Sequence, residues 1–483
     1  MRVFDRIAIE QHAIPGLTLM TRAGAAVFTA LRRRWPQARR LAIVCGIGNN
    51  AGDGYVMARL AREAGWQVDV LQIGDKARLA GDALAACHAL GSAGVASQPF
   101  EADAFDQADV VVDALFGTGL AREVTGEWRA AIEAINGSGR PVVAIDIPSG
   151  LSADTGAVRG AAVRAAMTVT FIGLKRGMFT GSGPACCGEI VFDDLQVPRD
   201  VYRRITCTTR RFDAGLIPQV LPPRPRDAHK GHFGHVLVIG GDYGMPGAVR
   251  MAGEAAARVG AGLVTLATRA AHTAAIAQAR PELMCHGVDT APDLRRLFAR
   301  ATVIAIGPGL GQSEWSRRMF AQVLDSGLPL VVDADALNIL AAEPVRRDNW
   351  VLTPHPGEAA RLLSISTATV QADRFAAVRA LQQRYGGIVV LKGAGTLIGG
   401  GDGPLILCDA GNPGMASGGM GDVLTGVIAG LVAQQLALSL AASTGVWLHA
   451  SAADAAARHD GERGVLASDL MPHLRRLVNP GPA

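Results

Sequence analysis

The chain has 483 residues, 49% of them hydrophobic, which is enough for two or three domains with sizeable cores. The formal net charge is only +4, so the composition argues against nucleic acid or a membrane surface as a partner. The N-terminus carries charges where a secretory signal needs an apolar core, and none of the seven cysteines forms a CxxC pair, so we expect a cytoplasmic protein.

Apolar runs alternate with helical stretches through the first half of the chain. Such alternation is typical of a mostly parallel sheet covered by helices on both faces, so we predict an α/β domain. The predicted strands are residues 41–46, 66–74, 108–117, 141–150 and 167–173. The predicted helices are about residues 54–64 and 127–135.

A second α/β domain is predicted after a proline-rich segment at about residues 195–230, which we interpret as a linker. An uncharged stretch at 423–448 is long enough to span a membrane. Its polar side chains and glycines favour a buried helix instead. The predicted strands of this half are residues 235–241, 262–268, 301–309, 328–336, 349–357 and 387–395. The predicted alanine-rich helix is residues 247–260.

Three strand ends in the first half carry polar residues. They are the run Gly46–Gly54, Asp113 with the following 116–123, and Asp146 with Ser149. In an open parallel sheet such ends border one ligand crevice. Their amide, carboxylate and hydroxyl oxygens suit a hard cation, although each residue alone is equally typical of a turn or a helix cap.

These motifs, GIGNNAGDG, VVDALFGTGL and AIDIPSG, together with IPGLTLMTRAG at 14–24, resemble the NAD(P)H-hydrate epimerase domain over about residues 1–210. The resemblance implies a Rossmann-like αβα sandwich. It also implies that Asn50, Asp113 and Ser149 hold K⁺ and that Asp146 is the catalytic acid/base. The family usually has glycine at the position of Ala51, whose methyl group is tolerable if the local φ is negative. The implied substrate-binding residues are Asn49, Asn50, Ala51, Gly52, Asp53, Gly117, Thr118, Gly119, Leu120, Ala121, Arg122, Glu123 and Asp146.

A non-enzymatic alternative exists for this half, because domains of this shape serve as interaction platforms in some RNA-decay scaffolds. Such a platform has no need of a cation triad or of an acid/base. The presence of Asn50, Asp113, Asp146 and Ser149 therefore favours an enzyme.

The run NPGMASGGMGD, residues 412–422, is the clearest chemical motif of the second half. Its glycines let backbone N–H groups approach an anion, and the helix that follows points its positive end at the same place. Asp422 then lies beside that place as a base, an arrangement that suits phosphoryl transfer from or to a hydroxyl. The structural alternative is a flexible entry loop before a helix.

Further polar residues follow the other strands of this half. Lys392 comes directly after a strand and can meet phosphate charge, and His355 lies between two prolines. Asp333 and Asp335 fit a polar site, although Asp335 is equally suited to cap the next helix. Glu358 is suited either to bind Mg²⁺ through water or to cap a helix.

The motifs KGHFG, IGPGLG, DADALN, TPHPGE, KGAGT and GGMGD resemble the NAD(P)H-hydrate dehydratase domain of the ribokinase-like kinases over about residues 215–483. The resemblance implies a ribokinase-like αβα fold with Asp422 as the catalytic base. The implied nucleotide-binding residues are Lys392, Gly393, Ala394, Gly395, Thr396 and Gly421, and the implied substrate-binding residues are Ala248, Gly309, His355 and Asp422.

Together the two resemblances imply repair of the hydrates NADHX and NADPHX. The first domain would interconvert the R and S forms, and the second would dehydrate the S form with ADP as co-substrate, releasing AMP and phosphate. K⁺ and Mg²⁺ are the implied cofactors. The domain order favours ADP over ATP, and kinases of hydroxymethylpyrimidine and hydroxyethylthiazole are the alternative for the second fold. Because the uncharged helices after Asp422 could seal a subunit interface, we also expect a homo-oligomer.

Overall fold

The computed structural model describes residues 2–101 and 105–479. The chain forms two compact units, Met1–Cys207 and Thr208–Ala483, and the division falls inside the predicted boundary segment. Across the two described ranges, no helix combines the length and the apolar character needed to cross a bilayer.

The first unit is built on a seven-stranded sheet in which every neighbouring pair is parallel. The strand order is β3-β2-β1-β4-β5-β6-β7, so the chain reverses direction across the sheet between β1 and β4. This is the point at which open α/β sheets hold their ligands. The strands are β1 (Arg40–Cys45), β2 (Gln67–Gln72), β3 (Ser97–Pro99), β4 (Val110–Ala114), β5 (Val142–Ile145), β6 (Met167–Phe171) and β7 (Glu189–Asp193).

Helices cover both faces of this sheet, as the α/β prediction requires. Alternate residues of β1 enter two separate apolar cores, Leu41 and Ile43 on one face and Ala42 and Val44 on the other. The helices are α1 (Arg2–His12), α2 (Gly16–Arg34), α3 (Asn49–Glu63), α4 (Gly81–Ser92), α5 (Gly126–Gly137), α6 (Gly183–Cys187) and α7 (Asp200–Arg203).

Helix α3 begins at Asn49, five residues before the predicted start at Gly54, so that prediction was wrong. Its glycines serve close packing. A Cβ on Gly52 would lie 2.5 Å from the Met20 sulphur, and one on Gly54 would lie 2.7 Å from the Ala114 Cβ on β4. The polar run 49–53 is therefore the first turn of a helix. Ala51 lies in that turn, where φ is negative, so its methyl group causes no backbone strain.

The second unit contains a ten-stranded sheet in the order β11-β10-β9-β12-β13-β14-β15-β16-β17-β8. Its pairs are parallel except at β15–β16 and β16–β17, and the chain reverses direction between β9 and β12. The strands are β8 (Thr209–Arg211), β9 (His235–Ile239), β10 (Leu263–Thr268), β11 (Met284–Gly287), β12 (Val303–Ile306), β13 (Leu330–Val332), β14 (Trp350–Leu352), β15 (Ile388–Leu391), β16 (Thr396–Gly399) and β17 (Leu405–Cys408).

The uncharged stretch 423–448 belongs to two helices, α17 and α18, which are separated by residues 434–437. All of α17 from Val423 to Ala433 is buried in the core of the unit, as the sequence analysis expected. The helices are α8 (Ile217–Val220), α9 (Pro246–Arg258), α10 (Thr273–Ala279), α11 (Ala291–Phe298), α12 (Glu314–Leu324), α13 (Ala334–Ala342), α14 (Pro356–Leu363), α15 (Thr367–Ala372), α16 (Arg374–Tyr385), α17 (Met420–Ala433), α18 (Leu438–Asp460) and α19 (Leu470–Leu477).

The linker prediction for 195–230 was wrong for most of that segment. Strand β8 pairs with β17, so residues 209–211 form the edge of the second sheet. The proline-rich part is also docked on the second unit, because the Arg224 guanidinium lies 3.5 Å from the centre of the Phe233 ring and donates to the Gly260 carbonyl. The prolines therefore belong to a segment that is packed against the second unit, and not to a flexible linker.

Candidate active sites

A cavity of about 700 Å³ opens in the first unit at the carboxyl ends of β1, β4 and β5. Helix α1 contributes Asp5 to its wall, and α2 contributes apolar side chains such as Met20. The predicted site residues along this cavity are Asn49, Asn50, Asp53, Gly117, Thr118, Gly119, Leu120, Ala121, Arg122 and Asp146. The topological reversal between β1 and β4 thus brings the first two predicted motifs to one place, and β5 adds the third.

Asp146 follows β5 with a left-handed backbone, φ +67°, which a residue other than glycine seldom adopts. Its N–H donates to the Val169 carbonyl on β6, 2.7 Å away, and its carboxylate accepts a hydrogen bond from the Lys175 ammonium. The Lys175 side chain is 1% exposed, whereas that of Asp146 is 16% exposed and reaches the cavity. The carboxylate is therefore anchored from behind and presented to the cavity.

Three further carboxyl groups, those of Asp5, Asp53 and Asp82, share this cavity. Burial, followed by the charges of Asp146 and Asp5, raises the pKa of Asp53 well above its usual range. Burial and the charge of Asp146 likewise raise the pKa of Asp5, which the charge of Lys175 partly offsets. Carboxyl groups in one cavity whose surroundings shift their pKa values to different extents are suited to separate acid and base roles.

Of the predicted cation ligands, Asn50 lines the cavity, whereas Asp113 and Ser149 lie outside its lining. Asp113 is fully buried and accepts from the Ser149 N–H at 2.7 Å and from the Ser149 hydroxyl at 2.6 Å. The Phe116 N–H donates to the same hydroxyl oxygen at 2.8 Å. Asn50 is also buried, and its amide nitrogen has no hydrogen-bond partner among the described residues. Burial raises the pKa of Asp113 to about 6, so a nearby cation would relieve a real electrostatic cost.

Three predicted substrate contacts do not line the cavity. Ala51 is fully buried in the core, and Gly52 faces Met20 and Ala83. Glu123 also lies outside the lining, close to Gly160. Whether these three residues contact a substrate stays a prediction.

Lys175 is a site residue that the sequence analysis missed. It lies 29 positions after Asp146, and only the pairing of β5 with β6 brings the two together. A compositional signal was present: lysine is rare in this chain, with only Lys76, Lys175, Lys230 and Lys392 among 47 basic residues. Two of these four lie beside aspartates, Lys175 buried and Lys392 partly buried.

The second of these lysines, Lys392, follows β15 in the second unit. Its ammonium lies 2.6 Å from Asp333 Oδ1 and 3.9 Å from Glu358 Oε2. The other Asp333 oxygen accepts from the Thr425 hydroxyl of α17 at 2.8 Å. A Cβ on Gly421 would lie 3.3 Å from both the Lys392 ammonium and Asp333, so this network borders the first turn of α17.

Helix α17 begins at Met420, three residues before the predicted start, with Gly419 at φ +88° before it. Asp422 thus lies within the first helical turn. Burial, followed by the charge of Asp333, raises the pKa of Asp422 to about 7, and the charge of Lys392 partly opposes this. A carboxyl group that titrates near neutral pH is suited to accept a proton during a reaction.

The ionisable groups of this network have pKa values that are shifted in different directions. Burial opposes the ionised form of Asp333, but the charge and hydrogen bond of Lys392 lower the pKa of this carboxyl below its usual value. Burial also opposes the charged form of Lys392, yet Asp333 and Glu358 raise the pKa of the ammonium. Burial raises the pKa of Glu358 to about 7. Asp333 and Lys392 therefore each favour the charged form of the other, whereas the pKa values of Asp422 and Glu358 are raised to about 7.

The structure shows which of three polar residues, His355, Glu358 and Asp335, take part in a helix cap. His355 caps α14: its Nδ1 accepts from the Gly357 N–H at 2.9 Å while its imidazole remains exposed. Glu358 completes this cap by accepting from the His355 N–H at 2.8 Å, and it also faces Lys392. Asp335 does not cap α13; it accepts from the Gly311 N–H at 2.9 Å and so holds the IGPGLG loop.

The remaining predicted residues form two further groups. Gly309, at φ +57°, lies so close to α9 that a Cβ on it would be 3.0 Å from that of Ala248. The loop Lys392–Thr396 turns at Gly393, φ +133°, above the buried Arg374 guanidinium, which donates to the Leu391 and Lys392 carbonyls at 3.2 Å. The Lys392 side chain points away from this loop, towards Asp333.

The fold and the two sites define an enzyme of two α/β units. In the first unit Asp146 contacts the buried Lys175, and in the second Asp422 lies near the contact between Lys392 and Asp333. Two family profiles match the chain. One is described as NAD(P)H-hydrate dehydratase and matches residues 236–476; the other is described as YjeF-related protein N-terminus and matches residues 16–177.

Whole proteins and solved structures agree with these matches. The bifunctional NAD(P)H-hydrate repair enzyme Nnr of Coxiella burnetii is 53% identical over 99% of this chain and 98% of its own length. The chain therefore belongs to the family of bifunctional NAD(P)H-hydrate repair enzymes.

Two solved structures resemble the second unit. The ADP/ATP-dependent NAD(P)H-hydrate dehydratase of Bacillus subtilis, co-crystallized with ATP/Mg²⁺, is 29% identical with a TM-score of 0.50, covering 55% of this chain and 96% of that one. A ribokinase-like superfamily protein from Enterococcus faecalis has a TM-score of 0.52 at 30% identity, over 56% of this chain and 95% of that one. The predicted Rossmann-like and ribokinase-like fold classes are confirmed, as is the predicted family.

Proposed function

We propose that the cavity of the first unit is where R and S hydrates of NADH and NADPH are interconverted. The observation that carries this proposal is the anchored Asp146 carboxylate at the wall of a cavity large enough for a hydrated nicotinamide ring. Epimerisation at C6 of the ring requires a bond of that carbon to break and to re-form on the other face, and a fixed carboxylate can carry the proton that moves with it. Burial raises the pKa of Asp53 well above its usual range, which suits this residue to the role of proton donor beside that base.

The same proposal places K⁺ at Asn50, Asp113 and Ser149. Their side-chain oxygens are hard donors of the type that bind alkali cations. The unpartnered amide of Asn50 supports this, because rotating it by 180° would present its oxygen to the ion. The ion would order the loops after β4 and β5 that carry the substrate contacts. Replacing K⁺ by a bulky organic cation in the epimerisation assay tests the assignment.

For the second unit we propose ADP-dependent dehydration of the S hydrate. Asp422 removes the proton of the C6 hydroxyl, whose oxygen attacks the terminal phosphoryl group of ADP, and AMP leaves. Loss of the C6 phosphate, with the electron pair of N1 assisting, and of a proton from C5 then forms the C5–C6 double bond of NAD(P)H. We assign Gly421 and the loop Lys392–Thr396 to the nucleotide, and Ala248, Gly309 and His355 to the hydrate.

Mg²⁺ is assigned to the phosphates of the nucleotide, near Glu358. The residues fit this role, since Glu358 is a buried carboxyl group beside the network; burial raises its pKa to about 7, and a cation nearby would favour its ionised form. When bound, the ion would neutralise charge on the phosphoryl oxygens. The choice of ADP over ATP rests on the family resemblance, and comparing turnover with the two nucleotides decides it.

The uncharged helices after Asp422 give no support to a homo-oligomer, because α17 is buried within its own unit. An oligomer therefore stays a prediction, which light scattering would test. All seven cysteines are free thiols, and a reducing cytoplasm is the compartment that we assign on that basis.

Reciprocal variants test the two activities in one chain. We expect Asp146→Ala to reduce R-to-S conversion by at least 10²-fold while leaving ADP-dependent recovery of 340-nm absorbance from the S hydrate at the parental rate. Asp422→Ala should do the reverse, with a loss of similar size. Each variant serves as the folding control for the other activity. Parental conversion by Asp146→Ala, or phosphoryl transfer to a thiazole alcohol without recovery of NAD(P)H, would contradict the proposal.

A further inference from the structure

Lys175 is enclosed by acceptors. Besides the Asp146 carboxylate, its ammonium donates to the Thr170 hydroxyl at 2.7 Å and to the Phe171 carbonyl at 3.1 Å. These three acceptors match the three N–H groups of a lysine ammonium. Such a contact costs desolvation of a full charge, so a buried ion pair is by itself weak evidence for a purely stabilising role.

The acceptors fix where the charge lies. Thr170 and Phe171 belong to β6, whose backbone also accepts the Asp146 N–H through Val169. Lysine and aspartate are therefore held by the same strand. The left-handed backbone of Asp146 is strained for a non-glycine residue, and these bonds to β6 keep it in place.

The surrounding charges show why one carboxylate needs a dedicated cation. The charged groups that face this part of the cavity are Asp5 on α1, Asp53 on α3, Asp82 on α4, Arg122 after β4, and Asp146 with Lys175. Burial, followed by repulsion from Asp146, raises the pKa of Asp5 and of Asp53. Among the described residues, the Lys175 ammonium bonds to Asp146 and to no other of these acidic groups.

Lysine is also the unusual choice in this chain, which uses arginine for almost all of its 47 basic residues. A guanidinium is planar and needs five acceptors, whereas an ammonium is a compact charge that fits between three. The site thus requires a small cation with its charge concentrated at one point.

We propose that Lys175 is a positioning residue for epimerisation, which holds the Asp146 carboxylate aimed into the cavity without touching the substrate. The inference rests on the proposed role of Asp146 and extends it. Among the described residues, Asp146 is the only one whose side chain both accepts from this ammonium and lines the cavity.

The test compares full-length Lys175→Met and Lys175→Arg with the parent, by measuring R-to-S conversion over a range of hydrate concentrations at pH 7. We expect Lys175→Met to lose at least tenfold in kcat while the KM for the hydrate changes by less than about threefold, because the carboxylate loses its support and the substrate contacts remain. Lys175→Arg keeps the charge but not the fit, so we expect a smaller loss of kcat.

Controls separate this from a loss of folding. Thr168→Val removes a buried hydrogen bond from the same strand, to the Cys187 carbonyl, without touching Lys175, and should leave kcat unchanged. If Lys175→Met does not fold, Lys175→Gln takes its place. A rise in the KM for the hydrate with an unchanged kcat, or no loss, overturns the inference. Full activity of Asp146→Ala would instead overturn the proposed function, so the two failures are distinguishable.

Discussion

At the scale of single residues, the structure separates two roles that one motif had combined. The sequence places Lys392 at the start of the KGAGT loop and so suggests that its side chain meets the nucleotide. In the structure the ammonium lies 2.6 Å from Asp333 and against Gly421, next to the predicted base. The backbone of the loop and the side chain of Lys392 therefore serve different partners.

This geometry predicts that Lys392→Met lowers kcat for dehydration by about 10²-fold or more while changing the KM for ADP by less than about threefold. The reason is that the ammonium organises Asp333 and Asp422, whereas the nucleotide loop keeps its backbone. Steady-state rates at varied ADP concentration measure both constants. Lys76→Met, at an exposed lysine, is the matched control. A large rise in KM with an unchanged kcat would restore the nucleotide-contact interpretation.

The pKa of Asp422 predicts how dehydration depends on pH. A base must be ionised to act, and burial raises the pKa of Asp422 to about 7, so kcat should be low at pH 5.5 and rise to a plateau above about pH 8. Glu358, whose pKa is also about 7, could produce a similar curve. Glu358→Gln distinguishes the two, because the rise should persist in that variant. A flat profile in the parent between pH 5.5 and 8.5 would exclude Asp422 as the base.

At the scale of secondary-structure elements, small residues set how closely helices approach. Helix α17 crosses α9 at Gly426, where an added Cβ would lie 2.0 Å from the Ala252 carbonyl oxygen. Because α17 also carries Asp422, the packing of this helix determines where the predicted base lies.

We therefore expect Gly426→Ala to destabilise the second unit by about 1–3 kcal/mol, measured by urea unfolding. Alanine would gain up to about 1 kcal/mol in helix propensity, but backbone overlap outweighs this gain. Gly247→Ala on α9 is the control, since its Cβ would meet no atom within 4 Å, and it should change stability by less than about 0.5 kcal/mol. Equal stability of the two variants would show that the helices can separate without cost.

The sequence predicted the elements that have strong apolar patterns and the motifs that follow them. Strands β1, β4, β5, β9 and β12 are continuous apolar runs, and the polar residues after them meet at the sites as expected. The start of α3 was misplaced, because glycines that pack a helix against Met20 and β4 have the same local signature as a loop. Strand β8, sequence TRR, has no apolar pattern and is defined only by its partner β17.

The partners of the site residues were beyond sequence reasoning for a similar reason. Lys175 reaches Asp146 because β6 lies beside β5, and Asp5 reaches the same cavity from a helix at the N-terminus. These contacts connect residues that are distant along the chain, and no local pattern encodes them. In contrast, Asp422 and its neighbouring glycines form one contiguous run, which the sequence identified directly.

At the scale of the whole molecule, the edge of the second sheet determines where this chain can be divided. The sequence analysis placed the start of the second domain at residue 215, but β8 lies before that position and covers the edge of β17. Phe212 extends the pairing by donating to the Leu407 carbonyl at 2.9 Å, and its ring stacks on Trp447 with a centroid separation of 5.8 Å. Arg211 adds an ion pair with Asp409 at 2.6 Å.

A fragment of residues 208–483 should therefore fold and dehydrate the S hydrate with ADP, whereas a fragment of residues 215–483 should be less stable by about 2–4 kcal/mol, because it loses these hydrogen bonds and a buried ring. Its uncovered β17 would also offer an open strand edge for aggregation. Urea unfolding and light scattering of the two fragments measure both effects, with Phe212→Ala in the longer fragment as the control for the ring alone. If the shorter fragment is as stable and as soluble as the longer one, β8 contributes nothing to the stability of the sheet, and the boundary at 215 is correct.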